Sequence, residues 1–84
     1  MKTTLEIIKT ILAAQLSITE FEMEPDSCLV DDLGADELDA VEIAMSIEDQ
    51  WNIEVPDEDF AKVKTVADAV KLVDSIISAN KQIT

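Results

Sequence analysis

The chain predicts a small all-α domain whose helical elements run in the order long, long, short, long. Three observations carry that expectation. Apolar residues recur at helical spacing in separate stretches, helix-start signals stand immediately before those stretches, and 84 residues suffice for one core of three or four helices but not for an enzyme-sized cleft with its scaffold. The first helix is expected from Thr3 to Leu16, because Thr3 and Glu6 form a capping-box pair and Leu5, Ile8, Ile11, Leu12 and Leu16 share one face. Asp36 is suited to cap a second helix that runs to about Trp51 and ends at Asn52. Pro56 opens a short helical turn through Asp57 to Ala61. The closing helix spans Thr65 to about Ala79, with Thr65 and Asp68 as its cap pair and Val66, Ala69, Val70, Val73, Ile76 and Ile77 on one stripe. Residues 17–35 are left as a long connecting loop, for which Leu29, Val30 and Leu33 are the expected anchors. Neither repeats nor low-complexity tracts interrupt the chain, so residues 1–84 read as a single domain.

Charge is distributed unevenly. Of nineteen acidic residues, sixteen lie between Glu20 and Asp59, a stretch without Lys or Arg, and the net charge is -13. With 48% hydrophobic residues the chain is no disordered acidic tail, while its charge argues against nucleic acid or an anionic membrane as partner and favours basic protein surfaces and a monomeric state. Lys2 precedes apolar residues that Glu6 and Lys9 interrupt, and no apolar run is long enough to span a bilayer, which points to a soluble, cytoplasmic protein. Cys28 is alone and reads as a small, half-buried residue; with no His, neither a common zinc site nor a His-based catalytic triad is available, and no enzyme activity is expected. Asp31, Asp32, Asp36, Glu37 and Asp39 invite a calcium or magnesium reading, but their spacing is not that of an EF-hand, so they are assigned to a solvated acidic face and no metal site is expected.

The stretch from Asp36 to Trp51 carries two apolar stripes. At about 100° per residue, Ala40, Ile43, Ala44, Ile47 and Trp51 form a core-facing one, whereas Leu38, Val41 and Met45 lie roughly 130° away, fenced by Glu37 and Glu48 on one side and Glu42 and Asp49 on the other. An apolar ridge between acidic banks suits transient docking, in which charge steers the encounter and the ridge fixes the register. The plainer alternative is that the second stripe faces another helix.

At the centre of the acidic stretch stands Asp31-Asp32-Leu33-Gly34-Ala35-Asp36-Glu37-Leu38-Asp39. This run resembles the prosthetic-group loop of acyl carrier proteins, which reads acidic, Leu, Gly, small residue, Asp, Ser, Leu, the Ser bearing a 4'-phosphopantetheine arm. The run Glu54-Val55-Pro56-Asp57-Glu58-Asp59 and the order of elements also fit that family, so the resemblance covers nearly the whole chain. It implies a four-helix up-down bundle, three helices long and one short, with an attachment site at the amino end of the second helix. It further implies that Asp36, Leu38, Asp39, Val41, Glu42, Met45, Glu48 and Asp49 form a surface read by carrier-protein synthases, transferases and the phosphopantetheinyl transferase through basic docking patches. Ile43, Ile47, Val55, Phe60, Val63 and Val70 are candidates for an acyl pocket between the second and third helices, with ordinary core packing as the alternative. The departure lies at Glu37, which stands in place of the Ser. A carboxylate is a poor nucleophile whose phosphate adduct would be a labile mixed anhydride, so no 4'-phosphopantetheine arm is expected on this chain, though one would be if position 37 were Ser. Ser17, Ser27, Ser46, Ser75 and Ser78 all lie outside the motif. The expected function is that of an acyl carrier protein of fatty-acid or polyketide type, its docking surface retained and its attachment position blocked. The alternative is a non-carrier interaction or regulatory module, a decoy or an assembly subunit that uses the same acidic helix.

Overall fold

A computed structural model describes residues 2–81. Four helices follow one another: α1 (Thr4–Leu16), α2 (Glu37–Trp51), the single turn α3 (Asp57–Phe60) and α4 (Val66–Lys81). They form a four-helix bundle in which α1 packs against both α2 and α4 and α3 lies against α4. A hydrogen bond from Thr4 Oγ1 to Asp74 Oδ1 at 2.9 Å ties α1 to α4.

Each long helix starts where its cap residues dictate. Thr3 Oγ1 accepts the Glu6 amide at 3.2 Å while Glu6 Oε1 accepts the Thr3 amide at 3.3 Å, so two donors without intrahelical partners are satisfied reciprocally. Asp36 and Asp39 do the same for α2, and Thr65 and Asp68 for α4, where Asp68 Oδ2 also accepts the Lys64 amide. The helices α1 and α2 stop at Ser17 (φ 58°) and Asn52 (φ 54°), left-handed residues that turn the chain out of the helix. Pro56 precedes α3, consistent with its fixed φ and missing N–H.

The core is built from Ile8 and Leu12 of α1, Ile43, Ala44 and Ile47 of α2, Val66, Ala69 and Val73 of α4, and Val55 and Phe60 around α3. Fully burying a side chain of Leu or Ile size contributes about 1.5–3 kcal/mol, so these positions dominate the driving force. The connection from α1 to α2 is more ordered than a plain loop. It contains a 3-10 turn at Glu20–Glu22, and its anchors are Met23, Leu29 and Ala35, with Ile18 and Leu33 packed partly against the core. The expected anchor Val30 is instead 66% exposed. The reason is local: Asp32 and Leu33 amides donate to the Cys28 carbonyl and the Gly34 amide to that of Val30, so the backbone coils tightly here and only one face of the coil can point inward. Gly34 sits in this coil at φ 77°, a conformation that side chains other than Gly disfavour. The far side of the linker is bonded to the entrance of α4: Leu29 N donates to Lys64 O, Val66 N to Ser27 O and Ala67 N to Pro25 O. No helix among the described residues is long and apolar enough to cross a membrane.

Candidate functional site

The coil that ends at Ala35 and the cap at Asp36 together fix the amino end of α2. Ala35 is buried and its amide donates to Leu29 O at 2.8 Å, which pins the chain one residue before the cap. Glu37 is therefore the first helical residue, exposed and within the first turn, where the helix amides lack intrahelical partners. A carboxylate in that position gains roughly 0.3–1 kcal/mol from the amides and macrodipole, so Glu37 is compatible with a stable α2.

Beside Glu37 lies a groove of about 400 Å³, lined by Glu37, Ala40, Val41 and Ala44 of α2 and by Asp57, Phe60 and Ala61 of the α3 turn. Its lining is mainly apolar, with the Glu37 and Asp57 carboxylates as its charged groups. Of the six residues considered for an acyl pocket, Phe60 alone lines this groove. Ile43, Ile47 and Val55 lie in the core, and Val63 and Val70 are partly buried against it. Of the other apolar residues that line it, Val41 belongs to the second stripe, while Ala40, Ala44 and Ala61 carry no sequence signal for a groove, since small side chains open one only where a neighbouring element stands off.

Among the described residues no helix covers the second apolar stripe of α2. Leu38, Val41 and Met45 are 67%, 55% and 58% exposed, while Ile43, Ala44 and Ile47 on the other stripe are buried and Ala40 and Trp51 half-buried. The flanking carboxylates divide into two groups. Asp36, Glu37, Glu42 and Asp49 are exposed; Asp39 and Glu48 are half-buried. Gln15 of α1 reaches across with its side-chain amide, donating to Asp39 Oδ1 at 3.2 Å and to Glu42 Oε2, so one edge of the stripe is braced against α1. Reading the chain residue by residue missed this brace because it joins positions far apart in sequence.

Cys28 stands at the start of the coil that leads to α2, its backbone bridged to Thr65. Burial pushes its thiol above the ordinary value, and the negative charges of Asp32, Asp31, Asp26 and Asp68 add to the effect, so the sulfur stays protonated and poorly nucleophilic at neutral pH.

Comparison with known proteins bears on the family and the fold. Residues 6–73 match the family described as phosphopantetheine attachment site. The chain is 44% identical over 78 residues to an acyl carrier protein from Helicobacter hepaticus, an alignment covering 93% of this chain and 97% of that one. Among solved structures it is similar to a Mycobacterium tuberculosis protein described as an acyl carrier protein, with a TM-score of 0.80 and 29% identity, covering 87% of this chain and 97% of that one.

Proposed function

Since this chain belongs to the acyl carrier protein family, whose members carry phosphopantetheine and serve synthases and transferases rather than catalysing reactions themselves, we propose that it retains the docking face of a carrier and lacks the means to hold the arm. The observation that carries the proposal is Glu37 at the first position of α2, beside the groove and next to the ridge. A transferase substrate at this position needs a hydroxyl to form a stable phosphodiester. The carboxylate does not fit that requirement, because the corresponding adduct is a mixed anhydride that water cleaves.

The docking face consists of Leu38, Val41 and Met45 with Asp36, Glu42 and Asp49 around them. Their exposure and the absence of any Lys or Arg from Glu20 to Asp59 support a partner with a basic patch. Asp39 and Glu48, being half-buried, hold the face in shape as well as adding to its charge. Glu37 itself places a negative charge near where a cofactor phosphate would lie, so the face resembles that of a modified carrier electrostatically.

The decisive experiment is intact mass after incubation with coenzyme A and a broad-specificity phosphopantetheinyl transferase, comparing this chain with Glu37→Ser. Mass gain of one phosphopantetheine by the Ser variant alone is expected. A gain by the unaltered chain overturns the reading of Glu37. No gain by either puts the non-carrier interaction module ahead, since the docking face would then serve some other partner.

A further inference from the structure

The side chain of Phe21 is 98% exposed, more than any other large apolar side chain among the described residues. A single exposed apolar residue on a floppy loop needs no explanation. Phe21 is not on such a loop. It is the middle residue of the 3-10 turn Glu20–Glu22, closed by Thr19 N donating to Glu22 Oε2 at 2.8 Å and Glu22 N donating to Thr19 O at 3.1 Å. On one side Thr10 Oγ1 of α1 donates to Glu20 Oε2 at 3.4 Å; on the other, Met23 is buried in the core at 2% exposure. The backbone that presents the ring is thus tied on both sides, and the ring projects into water between the exposed Glu20 and Glu22.

We propose that Phe21 is an anchor that inserts into an apolar socket rimmed by Lys and Arg on a partner enzyme. A ring carried on a backbone that is already fixed costs only its own side-chain freedom on docking, which lowers the ordering cost of an aromatic anchor. Its sequence neighbours Glu20, Glu22 and Glu24 are exposed as well and add negative charge that a basic rim complements. A second copy of this chain does not fit, since it would bring two molecules of net charge -13 together. The inference rests on the docking reading above and extends the contact surface from α2 to the α1–α2 linker.

The test is calorimetric titration of a purified carrier-protein synthase with the unaltered chain, Phe21→Ala and Phe21→Trp, at low and high salt. Alanine is expected to weaken binding about tenfold without altering helical content or melting, because the ring touches so little of its own fold; tryptophan is expected to keep the affinity. Equal binding by the alanine variant overturns the anchor and leaves the α2 face standing. No binding by the unaltered chain removes both.

Discussion

Glu48, near the end of α2, accepts the backbone amide of Val55 through Oε2 at 2.8 Å. The bond spans the turn that leaves α2 at Asn52 and leads to Pro56, so a residue assigned by its helix face to partner recognition also sets the position of α3. Val55 is buried, and its amide has little water to turn to if the acceptor is removed. Glu48→Ala is therefore expected to cost about 1–3 kcal/mol, whereas Glu48→Gln, which keeps an oxygen acceptor, should cost less. Urea denaturation of the three proteins checks the order, and equal stability for all three would show that the bond holds nothing.

At the start of α4, the amides of Lys64 and Thr65 hold the Asp68 carboxyl below its ordinary value of 3.8, with the Thr65 hydroxyl and the Lys71 charge adding to them against a smaller opposing effect of burial. The sign follows directly. A carboxyl depressed in the folded state takes up its proton first in the unfolded state, so its contribution is complete above 3.8 and is lost as pH falls through the lower folded value. Asp68→Ala should be less stable than the unaltered chain near neutral pH, and the gap between their urea midpoints should close progressively below 3.8. A gap independent of pH would assign the loss to packing.

Sixteen carboxylates on residues 20–59 with no intervening cation repel one another in the folded state more than in the extended chain. Added salt screens such charges beyond ~8 Å at physiological strength, and millimolar magnesium should act at lower concentration. The expected outcome is a melting temperature that rises by several degrees, since about 1 kcal/mol moves Tm by ~4–8 °C in a domain this small. Calorimetric scans across a salt series test it, and a flat response to magnesium would contradict it.

What could be read from the residues was what local chemistry decides. Thr3 with Glu6, Asp36, and Thr65 with Asp68 announce their helices because a cap and its partner lie within one turn. The two stripes of α2 were legible for the same reason, as phase along one helix. The linker was not. In Glu20-Phe21-Glu22-Met23-Glu24 two apolar residues alternate with acids, and nothing in the pattern says that Met23 goes inward and Phe21 outward; the 3-10 turn decides it. Val30 looked like an anchor beside Leu29 and is turned out by the coil around Gly34. The Gln15 contacts with Asp39 and Glu42 and the Glu48 bond to Val55 depend on how elements meet, and Ala40, Ala44 and Ala61 matter to the groove through the space they leave empty.

The strapping of residues 25–29 to residues 64–67 also constrains the order in which the molecule can assemble. As the polypeptide emerges during synthesis, α1 and α2 are complete before Lys64 exists, yet the Pro25, Ser27 and Leu29 backbone groups of the segment joining them find these partners only there. Closing so distant a contact is entropically slow compared with forming a helix turn. Residues 25–29 consequently reach their final course only after the start of α4 has appeared, whereas the coil and cap that lead into Glu37 close on bonds of their own.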